Sequence, residues 1–374
     1  MSQVSLHRRP ARLPSRRAGT PAAAVVAAAL LLAGAAFAAG ADASAAGVPA
    51  PAPPFASARF GEPALGASPL QLRLGRLAVS WRGGPVTAST GETVTVYISN
   101  RYTPEQHTPE GWAELLVASP HGPELGLLTA YVAPLDEVGE MCGPQALGCY
   151  GGQELVSIGD TYETVTPQEV VRHELGHHIA FNRLNTPWRA VDWGPKAWAT
   201  DQDVCARAVT GQVYPGDEGD RYTLNPGEGW AEAYRVFAEQ RAGLTPAPWQ
   251  IVDPSFQPDA EALLAIDRDV AQPWTAPTTA TYAKKLTTKG RKVWSIPIAG
   301  PLDGDLAVTI SLPKGGYHDV VLLGPDGVTV LARGLWAGTT VQRITTTVCG
   351  KRPLTLRITR RGSAGRVAVT VSTP

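Results

Sequence analysis

Val170-Val171-Arg172-His173-Glu174-Leu175-Gly176-His177-His178-Ile179 carries the spacing His-Glu-x-x-His. Residues four apart share one face of a helix, so His173 and His177 can point at a single ion. Glu174 stands beside them, where a carboxylate could take a proton from a metal-bound water. The stretch just upstream predicts the helix itself. Thr166-Pro167-Gln168-Glu169 offers a Thr N-cap, a proline at the first helical position and a Glu at N3, a capping box. The helix is expected to run to about Arg183, before Pro187. Apart from Arg172, the residues around the motif are uncharged or apolar, as a buried helix requires.

A hydrolytic zinc site needs a third protein ligand and one open position. A His ten residues after the first would be one solution, but position 183 is Arg183. The alternative is a Glu on a later helix. Asn225-Pro226-Gly227-Glu228 opens such a helix, with Asn as N-cap and Pro at N1, and it is expected to reach about Ala242. Glu228 and Glu232 are four apart on it. Two acids on one face of a Trp/Ala/Phe-lined helix are costly unless something positive sits opposite. Glu228 is therefore assigned as the third ligand, and Glu232 as the carboxylate that fixes the tautomer of a ligating imidazole. Asp217 and Asp220 compete for the ligand role. His178 diverges by about 100° from its neighbour and is expected to pack or face solvent. Tyr222 is the candidate oxyanion donor, with Tyr214 as the alternative. An edge strand that pairs with an extended peptide would suit this chemistry, and Gly151–Ile158 is the candidate.

The rest of the chain bounds these assignments. With 374 residues, more than one domain is expected. Lys and Arg balance Asp and Glu at 33 each, and no basic block is interleaved with aromatics, which argues against a nucleic-acid partner. Residues 1–45 combine a basic start (Arg8, Arg9, Arg16, Arg17), an Ala/Leu/Val run and small-x-small sites, the pattern of a cleaved secretory signal. Secretion, with no stable membrane insertion after cleavage, is the expectation. Residues 46–69 read as a flexible linker. An exported chain can form disulfides; Cys142 and Cys149 flank a short loop and suit a local bridge, while the pairing of Cys205 with Cys349 is left open. Strands expected at Val94–Ser99 and Leu127–Ala133, and helices at Pro109–Ala118 and Asp259–Val270, complete an α+β catalytic unit over 70–272. Residues 273–283, rich in Pro, Thr and Ala, read as a linker. Short alternating segments then follow, at Leu306–Leu312, Val320–Leu331 around Pro325-Asp326-Gly327, Leu354–Ile358 and Val367–Val371; they predict an all-β sandwich over 284–374.

With both helical segments in hand, the chain resembles the zincin superfamily, in particular the gluzincin group with its downstream helical Glu. Asn225-Pro226-Gly227-Glu228-x-x-Ala231-Glu232-Ala233 is similar to the second motif of thermolysin-like and anthrax-lethal-factor-like peptidases. Glu228 follows His177 by 51 positions, a gap that favours the lethal-factor-like variant. The resemblance covers these two helices and implies a zinc metallopeptidase acting on a peptide or protein. Asp305–Val308, His318–Gly327 and the closing Val367–Val371 segment look like the bacterial pre-peptidase C-terminal domain. That likeness implies a secretion-associated, non-catalytic module, often removed later, that could contact glycan or cell wall. Two other functions stay open: a secreted binding protein with a structural or degenerate metal site, and a zinc hydrolase of a non-peptide amide or ester.

Overall fold

The computed structural model describes residues 80–374, except 291 and 337–339, and only the backbone of Trp336. The expected signal (1–45), the flexible linker (46–69) and the first ten residues of the expected catalytic unit lie outside the described residues. Among the described residues no helix is long and apolar enough to cross a membrane.

Residues 81–271 form a mixed α/β unit. A five-stranded sheet is built from β1 (Trp81–Thr87), β2 (Thr93–Ser99), β3 (Thr129–Ala133), β4 (Gly148–Gly151) and β5 (Glu154–Ile158) in the order β1-β2-β3-β5-β4. β2, β3 and β5 run parallel, and the outer strands β1 and β4 are antiparallel to their neighbours. On β2, Val94, Val96 and Ile98 turn to one buried face, as period-two alternation dictates. α1 (Pro109–Ala118) and α2 (Leu135–Cys142) accompany the sheet.

α3 (Pro167–Phe181) carries the His-Glu-x-x-His motif. Its N-cap forms as the sequence predicts: the Thr166 hydroxyl accepts from the Glu169 N–H, and the Glu169 carboxylate meets that same hydroxyl at 2.8 Å. A two-strand ribbon, β6 (Leu184–Asn185) and β7 (Trp188–Arg189), leads into the short helices α4 (Ala190–Trp193), α5 (Lys196–Asp201) and α6 (Val204–Val209). α7 (Pro226–Arg241) carries Glu228 and Glu232 and lies against α3, and α8 (Ala260–Ala271) closes the unit.

α3 and α7 approach closely at Gly176. A Cβ there would lie 2.8 Å from the Cα of Ala231 and 3.1 Å from its carbonyl oxygen. The Trp230 indole N–H donates to the Gly176 carbonyl at 2.7 Å across the same crossing. Gly176 sits between His173 and His177, and Ala231 between Glu228 and Glu232. Gly176→Ala should therefore lower stability by about 1–3 kcal/mol, the usual cost of overpacking a close contact. Denaturant unfolding measures it.

The C-terminal region is an antiparallel β-sandwich. One sheet has the order β13-β14-β10-β16-β8, from β8 (Thr278–Leu286), β10 (Gly304–Ser311), β13 (Leu335–Trp336), β14 (Val341–Val348) and β16 (Gly365–Thr373). The other has the order β12-β11-β15-β9, from β9 (Val293–Ile298), β11 (His318–Leu323), β12 (Val330–Arg333) and β15 (Leu354–Arg360). Alternate residues of both, such as Leu306, Val308, Ile310, Leu322, Leu356, Val367 and Val369, form a core separate from that of residues 81–271. The turn at Pro325-Asp326-Gly327 is held by Asp326, whose carboxylate accepts from Val328 N and Thr329 N.

Two expectations are corrected here. The stretch 273–283 is not all linker, because β8 starts at Thr278 and pairs with β16 along its whole length. Nearly all its side chains are exposed, so it lacks the apolar alternation that would have marked it as a strand. Residues 154–158 of the candidate edge segment are interior: β5 is buried throughout and paired on both sides, so the edge strand is β4, Gly148–Gly151.

Both disulfides form, Cys142–Cys149 and Cys205–Cys349. The second joins α6 to the end of β14 and thus ties the sandwich to the α/β unit. Around it, Lys196 of α5 is fully buried and donates to the carbonyls of Thr186 and Asp303 at 2.7 and 2.8 Å. Burial pushes its ammonium down to about 8. The Asp303 N–H donates to the Thr200 hydroxyl, and the Asp303 carboxylate accepts from the N–H groups of Gly350 and Cys205. A cut in residues 272–277 would therefore leave the sandwich attached through the disulfide. Replacing Cys205 and Cys349 together by Ser should cost about 2–5 kcal/mol, since their bridge closes a long loop; denaturant unfolding under oxidising conditions measures the loss.

Candidate metal centre

α3 and α7 bring His173, His177 and Glu228 together as a buried cluster whose candidate ligand atoms lie within 4.8 Å of one another. Each side chain is held by its own helix: the histidines by the i, i+4 spacing on α3, and Glu228 in the first turn of α7. The Asn225 side chain caps that turn by accepting from Gly227 N at 3.0 Å. The Glu228 carboxylate spans both imidazoles, with Oε2 3.2 Å from His173 Nε2 and Oε1 3.3 Å from His177 Nε2. Glu232 Oε2 lies 3.2 Å from His173 Nδ1, the nitrogen turned away from the cluster. That is the contact expected of a carboxylate that sets an imidazole tautomer.

The cluster opens into a cleft of about 730 Å³. Gly148, Cys149 and Tyr150 of the edge strand line it, with Tyr222, Glu218 and Asp192 from later loops and helices and Pro248, Gln250 and Ile251 from the segment after α7. Glu174 lines it too and is 7% exposed. Among the described residues, the hydrogen-bond network of the cluster does not reach Glu174. Its carboxylate lies between the histidines and β4: a Cβ on Gly148 would come within 2.9 Å of Glu174 Oε1. The glycine keeps that space open.

The electrostatics are those of carboxylates and imidazoles held out of water. Burial pushes Glu174 up to about 7, against the lowering effect of His173 and His177. At Glu228 burial opposes the charge, but His177 and the hydrogen bonds from both imidazoles outweigh it and hold the carboxyl well below its usual range. Glu232 sits at about 2 for the same kind of reason, through His173 and Arg235. In the protein alone the imidazoles take the positive charge; burial opposes it, yet Glu228 and Glu232 raise His173 to about 10.

The residues fit a divalent cation. Two imidazole nitrogens and one carboxylate are a zinc donor set. The imidazoles meet different oxygens of Glu228, at 3.2 and 3.3 Å, and one ligand atom from each residue lies within 4.8 Å of the others, a grouping compact enough to share one ion. Charge agrees. Glu228, Glu232 and Glu239 are buried, only Arg235 among their contacts is a guanidinium, and with neutral imidazoles two negative charges remain.

Other candidate residues are placed differently. Asp217 caps its own loop by accepting from Gly219 N and Arg221 N, and neither it nor Asp220 joins the cluster. Tyr214 donates to the Gly211 carbonyl and does not line the cleft. Tyr222 does line it, but its hydroxyl donates to Glu228 Oε2 at 2.5 Å rather than pointing free. Burial, and then the charge of Glu228, keep that phenol protonated. His178 is a packing residue: it is buried, its Nε2 donates to the Glu124 carbonyl at 2.8 Å, and its Nδ1 accepts from Tyr150. Unanticipated from the sequence were the cleft acids Asp192 and Glu218 and the contacts of Arg235. Asp192 and Glu218 are brought to the cleft by packing that their local spacing does not mark, whereas Arg235 pairs with Glu232 and Glu239 at helix spacing and only the burial of those pairs was unmarked.

No family model matches the chain, and no curated protein matches it. Among solved structures it is similar to the pre-peptidase C-terminal domain of collagenase from Bacillus anthracis, at 12% identity, 25% of this chain, 88% of that one and a TM-score of 0.22. It is also similar to the Yersinia pseudotuberculosis-derived mitogen, at 15% identity, 26% of this chain, 87% of that one and a TM-score of 0.21.

Proposed function

We propose that the protein is an exported zinc-dependent peptidase whose metal is held by His173, His177 and Glu228. One observation carries this: the three ligand atoms converge beside a buried carboxylate, Glu174, that among the described residues stands outside the cluster's hydrogen bonds, in a cleft walled by an edge strand. When bound, zinc would supply Lewis acidity towards a carbonyl oxygen and lower the pKa of a water in the site.

The chain's own residues do the rest. Glu232 holds the His173 Nδ1 proton and so presents the Nε2 lone pair to the cluster. Glu174 accepts a proton on the cleft side and returns it to the leaving amine. β4 offers unpaired backbone groups along the cleft, so an extended peptide can add to the sheet beside Glu174. That edge favours a peptide over a compact amide or ester. Tyr222, kept protonated, can donate to a developing oxyanion if its hydroxyl leaves Glu228. The two disulfides suit an oxidising, extracytoplasmic setting.

The test is metal analysis of the purified protein together with hydrolysis of casein or quenched peptides, with and without chelator. About one zinc per chain and chelator-sensitive cleavage that zinc restores are expected. Bound zinc with no hydrolysis of any peptide would leave a structural metal site in a binding protein.

A further inference from the structure

α7 continues past Glu232 into a second buried charge cluster that zinc ligation does not use. Arg235 is 3% exposed. Its guanidinium grips Glu232 twice, Nε to Oε2 at 3.0 Å and Nη2 to Oε1 at 2.6 Å. Oε2 is also the oxygen that faces His173 Nδ1. The other arm, Nη1, donates to Glu239 Oε2 at 2.6 Å, and that same oxygen accepts the Ala247 N–H at 3.0 Å. Nη2 reaches on to the Ala247 carbonyl at 3.3 Å. The residues immediately following, Pro248, Gln250 and Ile251, are cleft wall.

One planar fork therefore touches both the carboxylate that orients a candidate zinc ligand and the backbone that builds one side of the cleft. We propose that Arg235 is a positioning residue that couples metal occupancy to the order of the cleft wall at 247–251; the inference rests on the zinc assignment above. Zinc on His173 fixes that ring and with it Glu232, so the partner fork of Glu232 is fixed as well. Arg235 transmits that restraint to the wall by two routes, through Glu239 to the Ala247 N–H and directly from Nη2 to the carbonyls of Ala247 and Pro248. Such coupling is reciprocal, so a peptide that orders the wall should also tighten zinc.

Arg235 could instead serve only to balance buried charge, in which case Lys would replace it. Lys keeps the charge but lacks the bidentate fork. Arg235→Lys is thus expected to weaken zinc about 10–100-fold, the effect usual for losing an outer-shell partner. Zinc affinity is read by chelator competition, without any substrate. The second readout is amide hydrogen exchange at 247–251. Zinc should slow it in the wild type and leave it unchanged in Arg235→Lys. Zinc affinity in the folded variant within about twofold of wild type would overturn the positioning role.

Glu239→Gln supplies an independent arm, because it leaves the Arg235–Glu232 fork in place. It should keep zinc affinity within about threefold of wild type while reducing the zinc-dependent protection. Protection as strong as in the wild type after this change overturns the relay through Glu239, whether or not Arg235→Lys folds, and leaves only the direct Arg235 Nη2 contacts to the wall. The two levels separate in the wild type: no zinc binding removes the functional assignment and this one together. Zinc binding without slowed exchange at 247–251 removes the coupling alone.

Discussion

Glu174→Gln should leave zinc bound at wild-type stoichiometry and lower kcat by about 10²–10⁴-fold, the range contributed by a positioned general base. The size of the effect follows from where Glu174 stands. It is adjacent in sequence to His173, so a ligand role would be easy to suspect, yet its oxygens are not among the converging ligand atoms. Neither does it share the hydrogen bonds that tie Glu228, Glu232 and Tyr222 to the histidines. The substitution is nearly isosteric, so Gly148 and β4 need not move. What disappears is a proton acceptor facing the cleft. Zinc content by metal analysis and turnover of a quenched peptide separate the outcomes. Retained zinc with full turnover would remove Glu174 from the mechanism, and lost zinc would make it part of the metal cage.

The helices of the site were legible because local rules dominate them. Thr166-Pro167 and Asn225-Pro226 are cap-and-proline signals, and the observed helices begin at Pro167 and Pro226. The i, i+4 spacing then placed His173 with His177 and Glu228 with Glu232, and the two pairs meet across the Gly176 crossing. Legibility ended where position depends on long-range packing. β5, Glu154-Leu155-Val156-Ser157-Ile158, reads only as a short strand, and whether such a strand lies at the edge or the interior of a sheet depends on the hairpin that precedes it. β4, the true edge, is Gly148-Cys149-Tyr150-Gly151, too short and Gly-rich to signal a strand. β8 failed for the opposite reason, since an exposed edge strand carries no alternation. Arg235 reads locally as a surface ion pair with Glu232 or Glu239. Only the segment folded over it after α7 turns that pair into a buried network.

The assignment that most depends on structure is the third ligand, and Glu228→Gln tests it directly. Zinc affinity should fall by more than the 10–100-fold that loss of an outer-shell partner costs, because an amide oxygen is a weaker donor and one of the two uncompensated negative charges is removed. Activity should fall with it and recover only in part at high zinc. The fold should persist, because α7 keeps its Asn225 cap and the Trp230–Gly176 bond across to α3. Near-ultraviolet circular dichroism checks that point. Asp217→Ala and Asp220→Ala serve as comparisons: Asp217 serves its own loop, and neither acid reaches the cluster, so both variants should bind zinc like the wild type. Normal zinc binding by Glu228→Gln, with loss in either loop variant, would transfer the third ligand to that loop. Tyr222 would respond as well. Its hydroxyl now donates to Glu228 Oε2, and a neutral amide accepts that bond less strongly than a carboxylate does. The phenol pKa should then fall from its raised position, because the charge of Glu228 is among its causes.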